Sequence, residues 1–191
     1  MKIAIIGNGN VGGGLANALS RAGHDATAYG KDADLSAAVA AAEVVILATP
    51  FGTAEDLAGK ASFDGKTVVD VSNPITADFS GLLVGHDTSA AETIGAQLPG
   101  ARVVKAFNTV FAQHYATDLK IAGTPIQTFV AADDEVARDT VMALAADMGL
   151  EPVNAGPLRN ARYLEPLGFM NIQFGYVLGL GVAIAPKWQI A

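Results

Sequence analysis

The sequence predicts an α/β fold in which helices cover both faces of a doubly wound, mostly parallel β-sheet. Short apolar runs alternate with segments of helical pattern from the first residues onward, which is the rhythm of repeated βαβ units. The runs are continuously apolar, as in strands that helices bury on both sides. Hydrophobic residues make up 51% and charged residues 16% of the 191 residues, a composition typical of a globular domain.

The positions of the elements follow from these patterns and from local helix signals. Ser89 and Glu92 have the spacing of a capping box, Asp133 can cap a later helix, and Gly149 stands where a left-handed C-terminal cap is expected. We therefore predict strands over residues 2–6, 25–29, 44–49, 67–71, 102–106, 126–131 and 151–154, and helices over residues 11–22, 34–42, 53–60, 89–98 and 134–148.

The alternating pattern ends before the last part of the chain. We expect residues 1–155 to form the main domain and residues 156–191 to form a helical extension that packs on it or on a dimer partner. The longest apolar stretch, residues 169–186, contains Gly175 and Gly179 in a spacing that lets helices approach closely. Because amide side chains interrupt this stretch, we predict one long buried helix that joins a homodimer, and no membrane span.

Charge and composition exclude several classes of function. A net charge of −7 without a basic cluster argues against a nucleic-acid partner. The chain has no cysteine, so thiolate chemistry and disulfides are excluded and a reducing compartment, the cytoplasm, is the expected location. The histidines do not show metal-ligand spacing, and we predict no metal site.

A glycine-rich turn follows the first predicted strand and opens the first predicted helix. Its residues are Gly7, Asn8, Gly9, Asn10, Val11 and Gly12. In this strand–turn–helix setting the first glycine permits the tight turn, the second lets backbone approach a pyrophosphate, and the third lets the helix pack on the strand. Backbone N–H groups at the helix start then face the phosphates. The turn predicts a Rossmann-type domain that binds a nicotinamide dinucleotide.

The end of the second strand bears on the choice between NAD and NADP. Asp32 lies at the typical distance for an acid that binds the ribose hydroxyls of NAD. However, the strand is expected to end at Tyr29, which places Gly30 at the discriminating position and Lys31 where it could contact a 2′-phosphate. We favour NADP and leave NAD open.

Three loops are expected to line the cofactor cleft, since ligands bind beyond the carboxyl ends of parallel strands. The side-chain amides of Asn73 and Asn108 can both donate to and accept from a carboxamide such as that of nicotinamide, and Phe51 could pack against the cofactor. The cofactor-binding candidates in these loops are Thr49, Pro50, Phe51, Asn73, Pro74, Ala106, Phe107 and Asn108.

Several segments of the chain together form a recognisable pattern. They are residues 7–12, Gly23-His24, Val69-Asp70-Val71-Ser72-Asn73-Pro74, Val103-Val104-Lys105-Ala106-Phe107-Asn108-Thr109, Ala132-Asp133-Asp134, Ala155-Gly156-Pro157-Leu158 and Ala161-Arg162-Tyr163-Leu164-Glu165-Pro166. With these segments the chain resembles the NADP oxidoreductases that depend on coenzyme F420. The same module is similar to the cytosolic NADPH domain of the STEAP metalloreductases.

The resemblance implies that NADPH and a deazaflavin (coenzyme F420) or a flavin share one cleft and exchange hydride. It places Lys31 where the family has a phosphate-binding arginine, and Asn73 and Asn108 beside the nicotinamide. Two residues depart from the family pattern, because Tyr29 replaces a glycine and Gly30 replaces a serine. Both departures concern the phosphate site.

Hydride transfer between two cofactor rings depends on positioning, so we predict no catalytic acid or base. Asn108 is the candidate nearest to the chemistry. The segment after Leu150 is too short for a separate substrate domain. We therefore expect the second reactant to lie on the main domain, beside Asn108, Pro157 and Leu158.

Other interpretations of the sequence stay open. The chain could be a non-catalytic NADP-binding sensor that contacts a partner through its C-terminal helix. It could also be a small imine or carbonyl reductase, in which His114 or Tyr163 would supply the proton. Glu165 lies in a segment that carries the resemblance; it could have a functional role or form an ion pair with a nearby arginine.

Overall fold

The computed structural model describes residues 1–189 and contains a seven-stranded sheet. Its strands lie within two residues of the predicted positions. A short hairpin that the sequence patterns did not indicate lies between the fifth and the eighth strands, and its two strands form a separate sheet. In chain order the strands are β1 (Lys2–Ile6), β2 (Asp25–Tyr29), β3 (Val44–Leu47), β4 (Thr67–Asp70), β5 (Arg102–Lys105), β6 (Lys120–Ile121), β7 (Thr124–Pro125), β8 (Gln127–Ala132) and β9 (Glu151–Asn154).

The helices connect these strands and bury their apolar sides on the sheet. The predicted helix over residues 53–60 is shorter than expected, and a helix follows the last strand. The helices are α1 (Asn10–Arg21), α2 (Leu35–Ala41), α3 (Ala54–Ala58), α4 (Ala90–Gln97), α5 (Glu135–Met148) and α6 (Ala161–Ile172), with single 3-10 turns at Ala112–Ala116 and Leu158–Asn160.

The strand order is β2-β1-β3-β4-β5-β8-β9, and the doubly wound α/β fold is confirmed. One core cluster packs α1 and α5 on one face of the sheet, and a second packs α2, α3 and α4 on the other. Neighbouring strands are parallel except β5 and β8, which are antiparallel. The chain returns from β5 through a 3-10 turn and a hairpin instead of a helical crossover, so β8 enters from the opposite end.

The start of α5 corrects one sequence prediction. Asp134, not Asp133, caps this helix, because its carboxylate accepts a 2.7 Å hydrogen bond from the backbone N–H of Ala137. Asp133 instead accepts a 2.9 Å bond from the backbone N–H of Leu158 and so holds the loop after β9. The other end of α5 agrees with the prediction, since Gly149 has a φ of +99°.

The C-terminal segment does not form the predicted long helix over residues 169–186. Helix α6 continues only through a π-helical turn, Gln173–Val177, and the chain is irregular beyond it. Gly175 packs on the ring of Phe111 within the same chain, where a Cβ would lie 2.7 Å from a ring carbon. Gly179 has a φ of +75°, which ends the helix. Within the described residues, no helix combines the length and apolar composition that crossing a bilayer requires.

The last described residues return to the far edge of the sheet. The ring of Trp188 lies edge-to-face on Phe129 with centroids 5.5 Å apart. The backbone N–H and carbonyl of Trp188 both bond the side chain of Gln127, at 2.7 and 2.9 Å. Trp188 thus attaches the tail to β8, and Leu164 of α6 packs against Phe129 and Ala131 of the same strand.

Candidate functional site

Two glycines of the N-terminal turn are required by the fold itself. Gly7 has a φ of +108°, and a Cβ there would collide with the carbonyl of Ala48. At Gly12 a Cβ would collide with the carbonyl of Gly7, because α1 packs directly on the end of β1. These positions need glycine whether or not a ligand binds.

Gly9 differs from its neighbours because no atom of residues 1–189 opposes a side chain at this position. Its backbone is extended, with φ −70°, and a Cβ would meet no atom within 4 Å. It precedes α1, which has no side-chain cap, so the first N–H groups of that helix are free to bind an anion. Asn8 and Asn10, on either side, are exposed. The open space and free donors fit a pyrophosphate.

The end of β2 lies beside this turn. Strand β2 ends at Tyr29, as predicted, and Gly30 follows. A Cβ at Gly30 would lie 3.1 Å from the side-chain nitrogen of Asn8, so the end of β2 and the turn are in contact. Lys31 and Asp32, the next two residues, are both exposed.

A cleft of about 320 Å³ opens at the carboxyl ends of β3, β4 and β5. Loops after these strands form one side, and α6 with the π-helical turn forms the other. Pro74 and Ala106 are buried behind the loops instead of facing the cleft. The predicted residues that the structure brings together there are Val11, Thr49, Pro50, Phe51, Asn73, Phe107 and Asn108.

Asn73 and Asn108 are joined by two hydrogen bonds. The Asn73 amide donates to the backbone carbonyl of Asn108 at 2.8 Å, and the Asn108 amide donates to Oδ1 of Asn73 at 2.9 Å. The Asn108 amide also donates to the backbone carbonyl of Leu164 at 2.8 Å. Flipping either side chain would place oxygen against a carbonyl oxygen, so the two carbonyls fix both orientations.

Three residues of the cleft have buried polar atoms without a hydrogen-bond partner among the described residues. Within residues 1–189, Oδ1 of Asn108, Oγ of Ser72 and Oγ1 of Thr109 are buried without a hydrogen-bond partner. Each unsatisfied buried polar group costs about 1–3 kcal/mol, and such groups call for a functional explanation. All three residues line the cleft. An acceptor and two hydroxyls fit the amide hydrogens and oxygen of a carboxamide, so the residues present are compatible with a nicotinamide ring.

The backbone is strained at the same place. Phe107 lies between β5 and Asn108 and has a φ of +63°, a left-handed conformation that costs a phenylalanine about 1 kcal/mol or more. Its N–H donates to Oγ1 of Thr128 at 3.2 Å. Strain of this kind concentrates at functional sites, where the surrounding packing maintains it.

A buried ionic cluster lies beneath these loops. Nζ of Lys105 bonds Oδ2 of Asp70 at 2.7 Å, Oε1 of Glu165 at 2.8 Å and the backbone carbonyl of Ser72 at 2.5 Å. The three charged side chains are at most 1% exposed. An ion pair at Glu165 is therefore present, but its partner is a lysine and not the arginine that we expected.

The predicted proton donors do not line the cleft. His114 is buried on the 3-10 turn and Tyr163 is 72% exposed on the outer side of α6. Beside His114, complete burial raises the pKa of the Tyr115 hydroxyl, which disfavours its ionisation. Among the described residues that line the cleft, Tyr176 is the one titratable side chain.

A larger groove of about 810 Å³ lies behind α1, against the 3-10 turn. It is lined by Asn10, Asn17 and Arg21 among others, and it does not include the loops after β3, β4 and β5. Despite its size, the groove is not the site that the strand topology indicates, because ligands of parallel sheets bind at the carboxyl ends of the strands.

Part of the chain is similar in sequence to known NADP-dependent oxidoreductases. The sequence model of a family described as NADP oxidoreductase, coenzyme F420-dependent, matches residues 26–74. The chain is 34% identical over 103 residues to the rat (Rattus norvegicus) metalloreductase STEAP3, a match that covers 54% of this chain and 20% of that protein. The resemblance to the F420-dependent family is confirmed. The chain spans about a fifth of the length of the curated STEAP relatives that it matches.

Solved structures extend the likeness to F420-dependent NADP oxidoreductases over most of the chain. An Arthrobacter protein proposed to be an F420-dependent NADP reductase is 26% identical with a TM-score of 0.81, and the match covers 91% of this chain and 92% of that one. Protein SMa0349 of Sinorhizobium meliloti is 28% identical with a TM-score of 0.73, covering 83% and 86%. A reductive aminase of Aspergillus terreus, solved with NADPH, is 18% identical over 93% of this chain and 62% of its own, with a TM-score of 0.67, and shares the fold alone.

Sequence reasoning missed the contribution of α6 to the cleft. The structure does not bring Pro157 and Leu158 beside Asn108, because Leu158 is buried under α4 in a core cluster. That side of the cleft is formed instead by Gly168, Asn171, Ile172 and Tyr176. A signal was present in the sequence: Gly168 and Asn171 are a small and a polar residue one helical turn apart in the otherwise apolar last part of α6, residues 167–172.

Proposed function

We propose that the chain is an NADP(H)-dependent oxidoreductase that passes hydride between NADP(H) and a second reactant bound in the same cleft. The observation that carries the proposal is that Val11, in the glycine turn, and Asn108, in the asparagine pair, line one continuous cleft. A dinucleotide lying across the strand ends would thus place its phosphates at the turn and its carboxamide at the pair.

The role of each group follows from this placement. The Gly7–Gly12 turn and the uncapped start of α1 would hold the pyrophosphate, and Lys31 would bind the 2′-phosphate. Phe51 would pack on the cofactor, and Asn108 would accept from the carboxamide. The nicotinamide itself supplies the hydride chemistry. The part of the protein is to hold the ring in one orientation and, through α6, to exclude water.

The lining of the cleft favours a redox partner that needs no proton from the protein. It offers aromatic and aliphatic surface from Phe107, Phe111 and Ile172, with Tyr176 as its one titratable group among the described residues. A flavin, a deazaflavin such as coenzyme F420 or another small electron acceptor meets that condition. An imine or carbonyl reductase would require a proton donor, and the position of Tyr176 makes it the side chain to test first.

The proposal is tested by mixing the purified chain with NADPH and, separately, FMN, FAD, coenzyme F420 and a quinone while absorbance at 340 nm is followed. Oxidation of NADPH by one acceptor, lost in a Gly9→Ala variant, is the expected result. Tight NADPH binding without oxidation by any acceptor would favour a non-catalytic sensor. Absence of NADPH binding would refute the assignment of the cleft.

We further propose that residues 1–155 form the cofactor domain, and that residues 156–191 close the cleft and join a homodimer in the cytoplasm. Supporting residues lie on the exposed apolar surface at the end of α6. Phe79 joins this surface, since its carbonyl accepts a 2.9 Å bond from Gln173. The surface consists of Phe79, Met170, Phe174, Val177, Leu178 and Leu180. The molar mass measured by light scattering should be that of a dimer for the wild type and that of a monomer for Phe174→Glu. A monomeric mass for both proteins would refute the dimer.

A further inference from the structure

Lys105 and Asp70 occupy equivalent positions on neighbouring strands. They are register partners at the carboxyl ends of β5 and β4, and both side chains are fully buried. An ammonium group has three hydrogens. All three find an acceptor, on Asp70, Glu165 and the carbonyl of Ser72. The side chain is therefore held from three directions at once.

The cluster holds the loop that carries Asn73. The backbone N–H of Ser72 donates to Oδ1 of Asp70 at 2.9 Å, and the Ser72 carbonyl accepts from Lys105 at 2.5 Å. Both backbone polar groups of residue 72 are thus fixed by the cluster. Asn73 is the next residue, so its side chain starts from an anchored position.

The cluster also holds the helix on the other side of Asn108. The carboxylate of Glu165 bonds Lys105 and accepts from the backbone N–H groups of Ala90 and Ala91 at 2.9 and 3.2 Å. These N–H groups belong to the first turn of α4, where a negative charge is favourable. Leu164, whose carbonyl orients the Asn108 amide, directly precedes Glu165. Both bonding partners of that amide are therefore sequence neighbours of residues that Lys105 holds.

Stability alone does not account for charges at this point. Replacing a buried ion cluster by apolar residues of similar volume is often neutral or stabilising. Apolar residues at all three charged positions, including an apolar side chain at position 105, would be buried as Val103 and Val104 are. Such a side chain could not bind the Ser72 carbonyl and Glu165 together, which is what links the loop after β4 to α6.

We propose that Lys105 is a positioning residue of the cleft, which orients Asn73 and Asn108 so that Oδ1 of Asn108 receives the carboxamide. The proposal rests on the proposed function for the identity of the ligand. Lys105 does not touch the ligand. It acts through Ser72 on one side and Glu165 on the other, so losing it should loosen the carboxamide end of the cleft and leave the phosphate end intact.

The first test uses ligand affinity. Lys105→Met is compared with Val104→Ala, a buried change on the same strand whose side chain belongs to the core cluster on the α1 and α5 face of the sheet. We expect Lys105→Met to weaken NADPH binding about tenfold, as for the loss of one oriented polar contact, and to leave binding of adenosine 2′,5′-bisphosphate unchanged. Equal weakening of both ligands, or an unchanged NADPH affinity, would overturn the proposal. Val104→Ala should leave the ratio of the two affinities as in the wild type.

The second test needs no ligand. Side-chain amide signals of Asn73 and Asn108 in ¹⁵N NMR spectra of the free protein should be sharp and slow to exchange in the wild type and in Val104→Ala. They should broaden in Lys105→Met and in Glu165→Gln, the second variant serving if the first does not fold. Unchanged signals would refute the positioning role. If the wild type bound no NADPH, the proposed function would fail while these signals still decided the role of Lys105.

Discussion

Gly168 on α6 packs against the side chain of Asn73 so closely that a Cβ at position 168 would lie 2.6 Å from Oδ1 of Asn73. The same Cβ would lie 2.8 Å from the amide nitrogen of Asn108. Both atoms are already held by hydrogen bonds to each other. A side chain on this turn of α6 can enter only by separating the two asparagines or by lifting the helix.

A Gly168→Ala variant should therefore lose cofactor affinity. We expect overpacking to destabilise the fold by about 1–3 kcal/mol and NADPH binding to weaken as the asparagines move. Gly95→Ala is the matched control, because a Cβ on that helix has only ordinary contacts, the nearest at 3.8 Å. That control should gain up to about 1 kcal/mol. Urea unfolding and NADPH fluorescence titration measure both effects; wild-type affinity in Gly168→Ala would contradict the model of the site.

The glycine turn gives a second prediction, in which one variant loses cofactor affinity and another loses stability. Gly9→Ala should unfold like the wild type, since no atom opposes the new methyl group, but its NADPH affinity should fall because the methyl occupies the space of the pyrophosphate. Gly12→Ala should instead lower the free energy of unfolding, because its Cβ collides with the Gly7 carbonyl. Thermal unfolding and titration distinguish the two variants. Normal NADPH binding by Gly9→Ala would mean that the ligand does not approach this turn.

Coenzyme preference is expected to depend on Lys31. Removing its charge in Lys31→Ala should reduce the preference for NADPH over NADH about tenfold, since a charge-assisted hydrogen bond to a phosphate contributes about 1.5–3 kcal/mol. Affinity for NADH should barely change. Lys120→Ala, an exposed lysine on the β6 hairpin, is the control for net charge. A full NADPH preference in Lys31→Ala would leave Lys31 as a solvated surface residue, and Asp32→Ala would then be the variant to measure.

The ion pair between α4 and α6 predicts a pH dependence. Two N–H groups of Arg162 bond the Glu92 carboxylate, at 2.7 to 3.2 Å. These bonds hold the pKa of Glu92 below its ordinary value of 4.5. A carboxyl with a lowered pKa in the folded state stabilises the fold above its unfolded pKa, and this contribution disappears as the pH falls through the folded value.

Wild type and Glu92→Gln should accordingly differ most above the ordinary pKa of Glu92, 4.5, by about 1 kcal/mol for a partly exposed pair, and should converge as the pH falls through the lowered pKa. Urea unfolding across this range gives the difference. Asp118→Asn, an exposed carboxylate, controls for general charge effects. A difference that did not shrink on acidification would show that the Arg162 contact does not stabilise the charged form of Glu92.

Most of the sheet could be predicted from the sequence because buried parallel strands are continuous apolar runs, and the glycine turn marks where the first one ends. The direction of β8 could not be predicted, because the apolar pattern of residues 126–131 is the same for a parallel and for an antiparallel strand. Only the path of the preceding chain, through the hairpin at residues 120–125, decides it. Asp133 and Asp134 show the same limit on a smaller scale, since two adjacent aspartates have equal capping power and their tertiary partners separate the roles.

The loops on one side of the cleft could be predicted from the sequence, but the contribution of α6 to the opposite side could not. Strand ends meet at one edge by topology, so Asn73 and Asn108 were expected to be near each other. The contact of Gly168 with both depends on the angle at which α6 crosses that edge, which no local pattern encodes. The cluster of Lys105 and Asp70 left one trace, a charge at the same position at the end of each of two neighbouring apolar strands. Its third member, Glu165, lies on α6 and required the tertiary structure.

The contrast between Gly9 and its two companions has an evolutionary consequence. Gly7 and Gly12 are constrained by the chain's own atoms, so any descendant that keeps this fold must keep them, with or without a cofactor. Gly9 is free of such a steric constraint, and selection for a bound pyrophosphate would preserve it. Among natural variants of this chain, a side chain at position 9 would therefore mark lineages that have abandoned the dinucleotide while keeping the fold.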